Sequence, residues 1–508
     1  MKASISVKKI ISVFVAVLLC FCVSSCDMGQ NETTTQGEEE STEPVIPGGS
    51  LSVPYTSVDS LNPFFTESVL NSVPISLVYR SLYKLDTSFS AVRDLAASET
   101  VSGLNIKVYL VSDLVFSDGG ELTAEDVVYS FECAKKSYLY SSTLESISSC
   151  TQGEDGSVTF TLKEYDENAL NVLTFPIVER GTAATEDFLP IGNGFYQFSQ
   201  DGIRLSLKAN LKYAGELPEI GTVRLTDVKG NISPENLVSA SEIDFYYSDL
   251  ADANIAAVNA SVTGVYLNNL VYIGVNHENV NLVLASFRQA ISYAVDRQAI
   301  AESAFRGYAR AAAVPFNTSW SRYSASPLAS SLSLSSQGEK TAQLLSANGF
   351  GEGGLPLELT LICNEGNSFM RNTASLIAQA LKPYNVNVTV KLLSAENLEK
   401  VVKAGEYDLY LAEIKIPATM DLSQFFIQGG AASYGINFEN CRSDEEYFRY
   451  KNGEITFEEF IDVFNSDMPF IPILYRNGRL CYTRKVTSEM TVTEGSIFGD
   501  IYNWTFSD

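Results

Sequence analysis

The sequence predicts an α/β protein, and three observations predict it. Short runs rich in Val, Ile, Leu and Tyr recur along the chain, segments of helical periodicity lie between them, and from Glu339 to Leu393 the rhythm is helix, strand, helix, strand. Alternation of this kind gives strands covered by helices. At 508 residues the chain has room for roughly two to four domains.

The strands read at 105–111, 157–162, 203–209, 222–228, 270–276, 357–363, 386–393 and 408–414, each dominated by residues that suit a pleated, half-buried surface. Helices read at 339–350, at 369–384 and over 287–305, where Phe287, Ala290, Ile291 and Ala294 fall at i, i+3, i+4 and i+7 and make one apolar face. In "LVFSDGGELTAEDVVYSF" (114–131), Asp118-Gly119-Gly120 is a turn signal and Thr123 precedes a helical run with Asp126 three residues on. That spacing is a capping box: the Thr123 hydroxyl accepts from the Asp126 amide while the Asp126 carboxylate reaches back to the Thr123 amide. Glu125 and Asp126 also complement the positive helix N-terminus. An EF-hand needs oxygen ligands at alternate positions and a glutamate at the twelfth, a spacing these acids lack, so they read as structure rather than as a metal or acid/base site.

The chain opens with the cationic "MKASISVKK" and an uncharged apolar run, Ile10 to Val23, whose 14 residues suit a signal-peptide core better than a membrane span. The run ends in "VSSC", which resembles a bacterial lipobox; the resemblance implies cleavage after residue 25 and a lipid on Cys26. Residues 26–50 contain no aromatic side chain and many Thr, Glu and Gly, the composition of a tether that cannot bury enough surface to order itself.

The net charge is −26, and loss of Lys2, Lys8 and Lys9 with the signal leaves −29. A surface so acidic repels phosphates, which argues against nucleic acid as a partner. Five cysteines remain in the body (Cys133, Cys150, Cys363, Cys441, Cys481), widely spaced and without C-x-x-C; a Cys133–Cys150 disulfide and free buried thiols both remain open. The single histidine, His277, excludes a multi-histidine metal site and sits just past a strand, where a polar loop residue explains it better than catalysis. There is no P-loop, nucleophile elbow or H-E-x-x-H, and "GFGEGG" (349–354) follows a helix and precedes a strand, the reverse of a phosphate-cradling loop. No catalytic residue, metal or cofactor is expected, and the protein does not read as an enzyme.

Six segments, in order, resemble the family 5 extracellular solute-binding proteins. They are "SVDSLNPFF" (57–65), "LVYRSLYKLD" (77–86), "VFSDGGELTAEDVVYSF" (115–131), "PIGNGFYQF" (190–198), "FRQAISYAVDRQAI" with "GYARAAAVPF" (287–300, 307–316), and "MPFIPILYRNGRL" (468–480). The resemblance implies a two-lobed, hinged fold of the periplasmic-binding-protein type. Lobe I would be built from 51–74, 181–270 and 465–508, an extra domain inserted at 75–180, and lobe II from 271–464. It implies the monomeric binding subunit of an ATP-binding-cassette importer, held by its lipid to the outer face of the bacterial cytoplasmic membrane, that captures a small solute, foremost a peptide, and passes it to permease and ATPase subunits. The alternative keeps the fold as a surface sensor or interaction lipoprotein without transport.

In peptide-binding members an aspartate of the second lobe holds the peptide amine. Here Asp421 is the only acid between Glu413 and Gly435, and a helix-start role before "LSQFF" is an equal reading. The resemblance also implies Tyr79, Asn193, Tyr434 and Tyr475 as cleft residues, core packing being the competing role of the tyrosines. The sequence departs from the family pattern at Asn193 and Phe195, where Thr and Pro are usual, and after Asp421, where no tryptophan or "N-P-x-F-D" follows.

Overall fold

The computed structural model describes residues 48–229, 233–488, 490–498 and 500–505. The export signal, Cys26 and the tether up to residue 47 lie outside them.

All eight expected strands form, within a residue or two of their predicted ends except where 270–276 proves to be the second half of a longer strand. One four-stranded sheet sets Gly49–Tyr55 parallel to Ile220–Asp227, followed by Arg204–Ala209 and Tyr196–Asp201. Its first strand takes in Gly49 and Ser50, the last residues assigned to the tether, and alternation buries Leu51 and Val53. A second four-stranded sheet is antiparallel, in the order Ala96–Ser102, Asn105–Leu110, Val158–Leu162, Ile147–Gln152.

The largest sheet runs in the order Phe245–Ser248, Phe470–Tyr482, Ser261–Val275, Leu409–Lys415, Leu357–Asn364, Val386–Leu393, with Ala309–Ala311 also paired to Phe470–Tyr482. Its last three strands are parallel and connected through the helices Ser368–Leu381 and Ala395–Ala404, the βαβ arrangement that the alternation predicts.

Two strands of this sheet decide the architecture. Ser261–Val275 has 15 residues and Phe470–Tyr482 has 13. At about 3.3 Å per residue they span roughly 40–50 Å, far beyond an ordinary strand. They pair antiparallel from Ser261↔Tyr482 to Gly274↔Phe470, with irregularities after Tyr266 and Val271. One end of the pair, with Val265, Leu267 and Leu480, belongs to an apolar core shared by the two four-stranded sheets. The other end, Leu270 to Val275 and Phe470 to Tyr475, belongs to a second core built on the parallel strands and their helices. Two cores are thus bridged by one antiparallel ribbon, whose middle residues, 266–269 and 476–479, lie between them.

Local differences from expectation have local causes. The helix expected over 287–305 is two helices, Ala285–Ala294 and Arg297–Ser303. Val295 turns extended, and the Asp296 carboxylate caps the second helix by accepting from the Ala299 amide at 2.9 Å. At Thr123 the expected capping box forms, the Thr123 side chain meeting the Asp126 amide while Asp126 Oδ2 accepts from the Thr123 amide at 2.8 Å and from its hydroxyl at 2.9 Å. The hydroxyl also donates to the carboxylate, and the Asp126 amide is shared with the Thr123 carbonyl at 3.1 Å. All five body cysteines are free, so Cys133 and Cys150 are not bridged. His277 is a loop residue, but a buried one.

Candidate functional site

The segments that carry the family resemblance make contact with one another. Gly192 and Gly194 pack on the end of the helix Val69–Val78, where an added Cβ would stand 2.3 and 2.5 Å from the Val78 and Leu77 carbonyl oxygens respectively, so only glycine fits. Gly192 in turn accepts from the Ser117 amide of the Asp118 turn at 2.9 Å. In the second core, Arg288 donates to the Asp467 and Met468 carbonyls and Arg297 to that of Pro472, which ties the 287–300 segment to the 468–480 segment.

Against that frame the five candidate solute residues can be placed. Tyr79 and Asn193 are together: both are buried, the Tyr79 hydroxyl donates to the Pro190 carbonyl at 2.8 Å, and Asn193 bridges the Arg80 amide and the Ile177 carbonyl. Tyr475 is fully buried on the ribbon and donates to the Pro315 carbonyl at 2.7 Å. Tyr434 is half-buried against the second core, close enough to Tyr410 to influence its titration. Asp421 stands apart from all four: Oδ1 accepts from the Ser423 amide and the Tyr447 hydroxyl, and Oδ2 pairs with Lys451 Nζ at 2.8 Å.

Asp421 belongs to a polar seam where the two cores meet. From the first side come Ser88, Phe89 and residues 164–171. Phe89 inserts its ring into the second core, and Asn171 Nδ2 donates at 2.8 Å both to the Phe89 carbonyl and, across the seam, to that of Ala418. Lys451 bridges Asp421 to Glu164, and Arg322 pairs with Glu167 while donating to the Tyr450 hydroxyl. Two cavities of about 460 and 380 Å³ open along this line and share Arg322 and Glu458 in their walls. The charges act on one another. Burial, aided by the nearby Asp421, raises the Asp166 carboxyl to about 6. Burial also pushes Asp421 upward, but Lys451 and Ser423 outweigh it and hold the carboxyl below its usual range.

A second polar region occupies the middle of the ribbon. Phe470–Tyr482 is buried along nearly its whole length, yet its centre reads Arg476-Asn477-Gly478-Arg479. On one face Arg476 is neutralised by Glu413 through Nε and Nη2, at 2.9 and 2.7 Å, and Asn269 supports that carboxylate. On the other face alternation places Tyr475, Asn477 and Arg479, with Arg310 opposite Tyr475 and Tyr266 opposite Asn477. The Arg310 guanidinium lies 4.0 Å from the Tyr266 ring centroid and donates to the Asn317 and Asn477 side chains at 3.0 and 3.4 Å. Burial lowers its pKa to about 10 against the opposing influence of Tyr266 and Tyr475.

A family model described as "Bacterial extracellular solute-binding proteins, family 5 Middle" matches residues 90–433. The chain belongs to this family. Among curated relatives it is 25% identical over 428 residues to the oligopeptide-binding protein AppA of Bacillus subtilis, covering 78% of each chain. It is 24% identical over 472 residues to the nickel-binding protein NikA of Staphylococcus aureus, covering 88% of this chain and 92% of that one. In fold it is similar to the ABC transporter substrate-binding protein CtaP of Listeria monocytogenes, with a TM-score of 0.70 at 20% identity over 91% of this chain and 100% of the other. The α/β, two-lobed reading of the sequence is therefore correct.

Membership in family 5 also accounts for what the motifs do in this chain, since their contacts hold the two cores and the ribbon together. The polar groups of the seam lie outside them, whereas Arg310, Arg476, Asn477 and Arg479 of the ribbon lie inside two of them; sequence reasoning passed over Arg310, Arg476, Glu413, Arg322 and Lys451 as site residues. One signal was available: "RNGR" interrupts an apolar run that is otherwise a buried strand.

Proposed function

We propose that the protein is the lipid-anchored binding subunit of an ATP-binding-cassette importer, capturing a peptide between its lobes and delivering it to a permease. Its lobes are 51–74, 181–270 and 465–508 against 271–464, with 75–180 as the extra domain; Cys26 carries the lipid outside the cytoplasmic membrane, and the protein acts as a monomer. Family membership supports capture of a solute. The single observation that carries the hinged reading is the ribbon: two long strands joining two apolar cores, with polar cavities where those cores meet. The oligopeptide-binding relative, 25% identical over 428 residues, supports a peptide as the solute.

The full chain, purified in detergent, is to be melted with pooled di- to nonapeptides and, separately, with nickel and histidine. Peptides are expected to raise Tm; a peptide at a hundred times its Kd adds about 2.7 kcal/mol of stability. No shift with any pool would refute peptide capture, and a shift with nickel and histidine alone would replace it.

A sensor without transport is the second reading, and one contact favours it. The Asp421 carboxylate, the expected amine anchor, is already engaged by Lys451, Ser423 and Tyr447. Peptide uptake that survives deletion of the gene would decide for the sensor.

A further inference from the structure

The hairpin of Tyr83–Leu85 and Ala91–Arg93 is rooted in the first core, where Tyr83 is buried and Ala91 packs, but its turn leaves that core. Phe89 carries its ring across the seam into the second core, and among the described residues of 75–180 it alone does so. Its backbone is left-handed, with φ 55°, a region that suits glycine and disfavours a bulky side chain. The turn does not need the ring. The Asp86 carboxylate accepts from the Ser88 and Ser90 amides at 2.8 and 2.9 Å, and the Asp86 carbonyl from the Phe89 amide at 3.1 Å. Glycine would form the same turn with less strain, so what phenylalanine adds at this position is its contact with the other core.

The loop on the far side of the seam is tied from two directions. Four successive carbonyls, Ile416 to Thr419, accept from three asparagine side chains. Asn268 donates to Ile416 and Pro417 at 3.0 and 3.1 Å, Asn171 to Ala418 at 2.8 Å, and Asn168 to Thr419 at 3.2 Å. Asn268 is buried in the ribbon at a bulge: the pairing steps from Tyr266↔Asn477 to Asn269↔Arg476, which leaves Leu267 and Asn268 out of the ladder, and bulges bend a strand. Asn168 and Asn171 come from the first side of the seam, and Asn171 also holds the Phe89 carbonyl at 2.8 Å. The loop closes at Met420, again left-handed with φ 61°. Strained backbone of this kind gathers at clamps and switches. Elsewhere the two sides meet through ion pairs and across the two cavities rather than through packed apolar side chains.

We propose that Phe89, with Asn168 and Asn171, is a latch that holds the two bodies together and sets how long a captured solute stays, a role that rests on the reading of the protein as a two-lobed receptor. Bending the ribbon at Asn268 draws Ile416 and Pro417 with it and away from Asn171 and Asn168. Opening then breaks both amide contacts and pulls the Phe89 ring into water, which opposes it. Both Asn171 Nδ2 hydrogens are engaged and the Phe89 ring is enclosed, so neither group is free to contact a solute. They are positioning residues that act on opening rather than on the choice of solute.

Amide hydrogen exchange of the full-length protein tests the latch without any solute, because the Ser321 amide donates across the seam to the Ser88 carbonyl at 3.3 Å. Phe89→Gly and Asn171→Ala are each expected to speed exchange of the fragment around Ser321 at least tenfold, while the core strand Leu357–Asn364 exchanges as in wild type. Phe89→Leu, which keeps an apolar side chain, is expected to speed it less. Wild-type exchange at Ser321 in both variants overturns the latch, and equally accelerated exchange in Leu357–Asn364 overturns it too, since the residues would then hold the fold rather than the seam. The second arm follows release of fluorescent peptides of two to nine residues by stopped flow. Release is expected to be about tenfold faster in both variants, by the same factor for every peptide that binds. A factor that differs from peptide to peptide would make these residues solute contacts, and faster exchange with unchanged release would leave solute lifetime set elsewhere; either result overturns the proposal. If wild type binds no peptide, peptide capture fails, and the exchange result alone decides whether the two bodies are latched at Phe89.

Discussion

Two groups of arginines in this protein differ in how completely the fold supplies their partners. Arg288 and Arg297, on the helix pair of the second core, lie beside Asp467 and Asp296 without salt-bridging either, and every nitrogen finds an acceptor. Arg288 donates to four backbone carbonyls and Arg297 to two and the Ser292 hydroxyl. Arg479 on the ribbon is also buried and Arg310 half-buried, yet each keeps an enclosed nitrogen without a partner. The first group is fully satisfied within the fold; in the second, one nitrogen of each side chain is left unpaired. The sharpest way to break this contrast is to truncate both groups. Arg288→Met strands four carbonyls and should cost roughly 3–5 kcal/mol of unfolding free energy. Arg310→Gln removes an under-satisfied charge and should cost less than about 1 kcal/mol, or even stabilise. Chemical denaturation of the full chain measures both, and equal losses would erase the distinction.

The same contrast can be sharpened with pH, because a buried group of each kind titrates in an accessible range. His277 is scaffold: its Nε2–H donates to the Pro469 carbonyl at 3.0 Å, and its Nδ1 accepts from the Asn437 amide, a contact that requires the neutral ring. Burial and the nearby Arg288 lower its pKa to about 4. The unfolded chain, with an ordinary pKa near 6.5, then takes up the proton first, so stability is intact above about 6.5 and falls towards pH 4, by up to about 3 kcal/mol. Asp166 in the seam has the opposite sign. Its carboxyl is raised to about 6 by burial, so its contribution is fully present below about 4 and is lost as pH rises through 6, roughly 1–3 kcal/mol after allowance for partial solvation. Asp166→Asn, which keeps the acceptor for the Asn168 amide, should therefore stabilise the protein at pH 7 and leave it unchanged at pH 4. His277→Gln should flatten the slope between pH 6.5 and 4. Thermal melts of the two variants across pH 4–8 check both signs.

What the sequence revealed follows the same division. Strand periodicity, the Thr123–Asp126 spacing and the order of the motif segments are local or repeated features, and the contacts they make are those that build the cores. The break at Val295 was hidden because the apolar positions on either side keep one helical face, while the capping of Asp296 on Ala299 depends on a single side chain. The site was harder to read because its groups come from distant parts of the chain. Arg310 meets Tyr266 and Asn477, Asp421 meets Lys451 and lies near Asp166, and nothing in the spacing of these residues announces their meeting. The family resemblance implied Tyr79 and Tyr475 as cleft residues, yet a tyrosine that donates to a buried carbonyl looks the same in sequence as one that awaits a solute.

The smallest effect concerns the ion pairs that cross the seam. Arg322–Glu167 is well formed, but both side chains are close to 40% exposed, so solvent competes for each charge. A pair of that kind contributes about 0.2–1 kcal/mol, and salt screens it. Lys451 is more enclosed and is shared between Glu164 and Asp421, so its removal leaves the Asp421 carboxylate poorly compensated. Glu167→Gln should therefore change unfolding free energy by less than about 1 kcal/mol, with the difference vanishing in 1 M salt. Lys451→Met should cost more than Glu167→Gln at every salt concentration. If the seam opens when solute enters or leaves, Glu167→Gln should also speed solute dissociation a few-fold with little change in Tm, as stopped-flow release of a fluorescent peptide would measure. An unchanged release rate would mean that the lobes are held together at Phe89 and Asn171, by packing and amide contacts rather than by charge.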